Sequence, residues 1–184
     1  MAMIGGIMTA LLVSEDYTND LTKNIYSKGY SREQLYLSKY VVCLVAFLIM
    51  MFVGMLVAFF FGFALDGLGT MGDNYILSVL GIILVGIAYF TIFFGVAILI
   101  KKTGGSIAIC IIGPTVVSLL LTMVDSFINI ENFNFSDYWL DNRVAMLSAA
   151  DVEPKVFLIT LGIAALFIVA MFIPSFLVNR KRDN

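Results

Sequence analysis

Apolar residues in this chain gather into runs far longer than a soluble core requires. Four of them, residues 40–65, 75–100, 106–124 and 156–178, are long enough to cross a bilayer. At a helical rise of 1.5 Å, about 20 residues cover the ~30 Å hydrocarbon layer. Helices are the reading, because isolated strands leave backbone groups unmatched in lipid. The two-residue alternation of a transmembrane barrel is also missing. An opening run, 1–13, is apolar but too short to span. It reads as the trailing part of a span whose beginning is missing, or as a shallow interfacial segment. It lacks the basic start and small-residue cleavage site of a signal peptide.

The polar interval 14–39 stands out against this background. Ser31-Arg-Glu-Gln34 has the form of a capping box, with a serine hydroxyl at the helix start and a glutamine three residues on. The helix it opens runs through Leu35, Leu37 and Lys39 into the 40–65 span. Gly29 just before it suits a sharp turn. Upstream, Leu21 and Ile25, with Tyr17 and Tyr26, fall at helical spacing, while Asp16, Asp20, Lys23 and Asn24 fall elsewhere. This predicts a short amphipathic helix. Physics alone leaves two readings: a helix lying in the headgroup layer, or a docking helix for a cytoplasmic partner.

Composition narrows the function classes. Hydrophobic residues are 61% of the 184 and charged residues only 13%, so most of the chain cannot face water. There is no basic domain for nucleic acid. The chain has no histidine, which removes the commonest general base and metal ligand. Cys43 and Cys110 lie inside apolar runs without Cys-x-x-Cys spacing and read as packing residues. No catalytic, metal or cofactor-binding residue is predicted.

Charge placement orients the spans. Of the eleven basic residues, all except Arg143 and Lys155 fall in the 14–39 interval, the 101–105 hairpin or the C-terminal tail. By the positive-inside rule these segments are cytoplasmic, and the 66–74 and 125–155 loops are outside. Four spans after a cytoplasmic segment return the C-terminus to the inside, where its Arg180-Lys-Arg182 belongs.

The run Lys23-Asn-Ile-Tyr-Ser-Lys-Gly-Tyr-Ser-Arg-Glu-Gln-Leu-Tyr-Leu-Ser-Lys39 resembles the segment between the second and third spans of type-2 ABC transporter permeases. Matching positions are Lys23, Asn24, Ile25, Ser27, Gly29, Ser31, Arg32, Leu37, Ser38 and Lys39. Asp20 and Leu21 depart from the family, where Gly-Thr is common. The resemblance implies that this interval is a coupling helix followed by a connecting helix, seated on an ATPase subunit. Lys23, Asn24, Ile25, Ser27, Gly29, Ser31 and Arg32 would then be the ATPase-coupling residues. It covers nearly the whole chain, from the end of a second span to a sixth. The first span and the loop after it are absent, as in a truncated sequence or an unusually short member, with truncation preferred.

Remaining features are read more plainly. Phe127, Phe133, Phe135, Tyr138 and Trp139 in the 125–155 loop suit the headgroup level. The resemblance further implies short helices there, dipping into the outer leaflet near the substrate exit. Asn134-Phe-Ser136 matches a glycosylation sequon that is common by chance. Lys101-Lys-Thr-Gly-Gly105 lacks the P-loop order and reads as a tight hairpin. Gly113-Pro114 and Pro174 predict kinks. Gly81, Gly86 and Gly95 offer faces for close helix approach. The spans hold almost no ionisable residues, which argues against a proton- or ion-coupled carrier and suits a hydrophobic or amphipathic cargo.

The expectation is an all-α polytopic membrane protein in the cell membrane, with four full spans, a partial N-terminal one and a cytoplasmic C-terminus. As the resemblance implies, it is the permease subunit of an ATP-driven exporter of a hydrophobic or amphipathic substrate such as a peptide. It carries no ATPase motif of its own. Its partners would be an ABC ATPase subunit, a second permease protomer and membrane lipid. A membrane-embedded enzyme is disfavoured by the missing histidine. The alternative is a non-transporting membrane anchor or regulator that recruits a cytoplasmic partner.

Overall fold

The computed structural model describes residues 2–18, 31–66, 74–100, 102–128, 133–148 and 152–181. Helix α1 is Ala2–Thr18, α2 is Arg32–Asp66, α3 is Tyr75–Ile100 and α4 is Thr103–Ile128. A 3-10 turn, Phe135–Tyr138, and the short α5, Leu140–Leu147, precede α6, Pro154–Lys181. Among the described residues there is no strand. Helices α2, α3, α4 and α6 are each long and apolar enough to cross a membrane. The protein is a polytopic helical membrane protein.

Helix α3 is the axis of the bundle. Of its most apolar window 56% is buried, against 22%, 6% and 11% for α2, α4 and α6. Two stripes of its surface explain this. Val85, Ala88, Tyr89 and Phe93, at spacings of three and four, pack with Ala10, Cys110, Leu140, Leu147 and Ala164. Phe90, Phe94, Ala97 and Ile98 pack with Val13, Tyr36, Cys43, Phe47 and Met51. Both cysteines are buried, in line with a packing role.

The glycines admit the neighbours closely, as their spacing predicts, but each serves a different helix. A Cβ on Gly81 would lie 2.7 Å from Leu147 of α5, and one on Gly86 2.6 Å from the Met51 sulfur of α2. At Gly95 a Cβ would make ordinary contact with Met171 of α6. Helix α1 packs on α2, α3 and α4, with Gly5 under the Phe47 ring and Gly6 against Phe93 and Cys110. Helix α1 is thereby part of the packed bundle. Hydroxyls on buried faces bond back to their own helix, as Thr9 does to the Gly5 carbonyl (2.8 Å) and Thr160 to that of Val156 (2.8 Å).

Helices α4 and α6 run as helices through Pro114 and Pro174. Beyond Cys110 no described residue of α4 is fully buried. In the other half of the bundle α3 is covered instead by the segment after α4. Asp125 accepts the amides of Phe135 (2.6 Å) and Ser136 (2.9 Å) and so fixes the 3-10 turn to α4. Trp139 then meets Phe167 of α6 edge-on at 5.7 Å. Tyr89 donates to Asp141 at 2.6 Å. Tyr89 lies roughly 20 Å along α3 from Tyr75, near its middle, so this short helix enters deep between α3 and α6.

A methyl group on Gly5 has nowhere to go, because Phe47 is a rigid ring only 3% exposed. Gly5→Ala is expected to cost about 1–3 kcal/mol, as overpacking does. Thermal unfolding in detergent measures it, and Phe47→Leu in the same chain is expected to recover part of the loss.

Candidate coupling joint

The head of α2 is built as its sequence predicts. The Ser31 amide donates to Gln34 Oε1 at 3.1 Å and the Gln34 amide to Ser31 Oγ at 3.2 Å, closing a reciprocal capping box. The 35-residue helix that follows is roughly 50 Å long, well beyond the ~30 Å hydrocarbon layer. Its first turns therefore extend past the span, as a connecting element must.

Two tyrosines one turn apart fasten this head to the bundle. Tyr36 is 2% exposed and meets Phe94, Phe172 and Phe176 edge-on, at centroid distances of 5.5, 5.6 and 5.4 Å. Tyr40 packs on Phe90, Phe94 and Phe172 at 5.3, 5.2 and 5.1 Å. Edge-to-face pairs of this kind are worth about 0.5–1.5 kcal/mol beyond their buried area.

Hydroxyls finish both anchors. Tyr36 Oη lies 2.7 Å from Ser175 Oγ, and Tyr40 Oη lies 2.9 Å from Thr91 Oγ1. Ser175 gives its own hydrogen to the Met171 carbonyl (2.8 Å), and Thr91 gives its own to that of Ile87 (2.9 Å). Each tyrosine is consequently the donor. The result is two parallel relays, from tyrosine through a serine or threonine to a backbone carbonyl, one ending on α6 and one on α3. At the surface Arg180 Nε pairs with Glu33 Oε1 at 3.2 Å, joining the last turns of α6 to the first of α2. Both side chains are about half exposed or more, so the pair sets position and adds at most about 1 kcal/mol.

Of the residues that sequence points to, Ser31 caps α2 and Arg32 begins it, half-buried. Lys23, Asn24, Ile25, Ser27 and Gly29 lie outside the described residues. Sequence reasoning missed Tyr36, Tyr40, Thr91, Ser175 and the Glu33–Arg180 pair. A signal was present: Tyr36 and Tyr40, Phe90 and Phe94, and Phe172 and Phe176 are all aromatic pairs at i, i+4.

Residues 1–129, which include α1 to α4, match the family model described as ABC-2 family transporter protein. The chain belongs to the ABC-2 transporter family. It is accordingly a type-2 ABC permease, a multi-pass membrane subunit that works with an ABC ATPase subunit. No curated protein and no solved structure matches it. The family match takes in the α2 and α3 sides of the joint, Tyr36, Tyr40, Thr91 and Phe94. Phe172, Ser175 and Arg180, the α6 side, fall beyond it.

The two halves of the Tyr36 anchor are separable. Tyr36→Phe keeps the ring contacts and is expected to cost about 1 kcal/mol, the net worth of one hydrogen bond. Tyr36→Ala is expected to cost about 3–5 kcal/mol. Melting of the purified full chain measures both.

Proposed function

We propose that this permease exports a hydrophobic or amphipathic cargo, such as a peptide, and that its 14–39 interval is the seat of the ATPase. Two protomers, identical or related, pack side by side in the lipid, with two ATPase subunits beneath them and the C-terminus on the same cytoplasmic side. The chain itself hydrolyses nothing. The asymmetry of Lys and Arg along the sequence supports this orientation. Exposed apolar side chains along α2, among them Val42, Ile49, Phe52 and Phe60, supply surface for lipid and for a second protomer.

One observation carries the mechanical reading: the head of α2 is tied by two hydroxyl relays to α3 and α6. Closure of the ATPases would push the segment around Lys23, Asn24, Ile25, Ser27 and Gly29. Ser31 and Arg32 open the helix that receives the push. Because Tyr36 and Tyr40 bind that helix to two others, the displacement reaches the bundle as a movement of the three together. Ile25 serves as apolar anchor in the ATPase, and Lys23, Asn24 and Arg32 make polar contacts there. The wall of Phe, Ile, Leu, Met and Gly in the spans favours an apolar or amphipathic cargo.

In the assembled complex, Ile25→Asp and Arg32→Gln are each expected to lower permease-stimulated ATP hydrolysis at least about tenfold, the effect of losing an interface anchor. Copurification of the ATPase should weaken in parallel. Full stimulation with full copurification in both variants would remove the ATPase seat from this interval.

A further inference from the structure

The search for unmatched chemistry leads to Arg143, in the short helix that enters the bundle opposite the coupling joint. Arg143 is 5% exposed, and Leu140 and Leu147, at i−3 and i+4, are fully buried. Those spacings put the arginine on the packed face of α5, toward α3. Its Nε is buried without a hydrogen-bond partner.

Among the described residues no carboxylate forms an ion pair with it, and those on nearby elements accept hydrogen bonds from other groups. Asp141 accepts the Tyr89 hydroxyl on one oxygen and the Trp139 indole on the other. Asp125 accepts the Phe135 and Ser136 amides on its two oxygens. Asp137 is paired with the Asn134 amide. What the guanidinium has instead is the Tyr138 ring, whose centroid lies 5.3 Å from Cζ.

A cation–π contact supplies about 0.5–2 kcal/mol, whereas taking a cation out of water costs several. The balance leaves room for an anion that bonds the guanidinium directly. A guanidinium, with its planar fork of donors, matches a phosphate in two places at once, and arginine is the residue chosen where that geometry matters. Tyr138 is 43% exposed, so the ring covering the cation itself borders the surface. Phe133 packs on it at that border and Phe135 on Phe133, as aromatic residues do at headgroup level.

We propose that Arg143 is the anchor of a phosphate-oxyanion site beneath Tyr138, filled by the phosphodiester of a lipid headgroup or by a free phosphate. This site is distinct from the coupling joint and stands whether or not residues 14–39 seat an ATPase.

The test uses the full chain purified in a maltoside detergent, which carries no phosphate. Three probes are added: phosphatidylglycerol, an uncharged diglucosyl diacylglycerol, and inorganic phosphate. Bound probe is read by native mass spectrometry and by the rise in melting temperature. Wild type is expected to retain phosphatidylglycerol over the glycolipid. Retention should fall about tenfold in Arg143→Gln, the loss of a charge-assisted pair, and only part of the way in Arg143→Lys. Binding of phosphatidylglycerol that inorganic phosphate does not displace assigns the site to a lipid. Arginine-dependent binding of inorganic phosphate, without preference among the lipids, assigns it to a free anion. Wild-type chain that holds the two lipids equally and binds no phosphate overturns the proposal, however the variants fold. So does phosphatidylglycerol retention unchanged in a folded Arg143→Gln chain.

Discussion

A donor buried away from water and left unmatched is costly, and the placement of polar groups in this bundle follows from that constraint. Tyr36 and Tyr40 could not be buried among phenylalanines with idle hydroxyls. They reach across to Ser175 and Thr91, which pass the obligation to carbonyls of their own helices. Pro174 lies beside one of these relays and contributes no amide hydrogen of its own, so the α6 backbone there has lost a hydrogen bond. The serine that follows it donates into that same turn. A rule about solvation thus selects which turns of three helices must meet.

Much of the architecture was legible in the sequence, for reasons that differ from part to part. Long apolar runs mark spans because hydrophobic length is a property of each segment alone. The capping box at Ser31–Gln34 was legible because its partners are three residues apart. Across the bundle, legibility fails where partners are distant in the chain. Nothing near Tyr36 announces Ser175, and nothing near Tyr89 announces Asp141. The i, i+4 aromatic pairs were visible, but periodicity names a face without naming what it faces.

The same limit bears on the scarcity of ionisable groups in the spans. Residue by residue the spans are nearly uncharged, as the sequence says. The fold nonetheless brings Asp141 to the middle of α3 and buries Arg143 close by, both from the segment between α4 and α6. The argument from uncharged spans against ion or proton coupling therefore loses part of its force, since charge at depth need not come from a span.

The glycine contacts differ in kind, and the difference sets how the helices can move on one another. Gly5 receives the flat, stiff ring of Phe47, which has no alternative shape to offer, so α1 and α2 are keyed in one register. Gly86 receives Met51, and Gly95 receives Met171. A thioether side chain with three rotatable bonds can refill a changing gap without leaving a void. Around α3 the bundle is consequently pinned at its tyrosine end, where Gly95 also meets the Met171 backbone, and compliant at the Gly86–Met51 contact. A tilt about that end would alter the spacing of α3 from α2 at Met51 with little loss of packing, while α1 and α2 travelled as a single body.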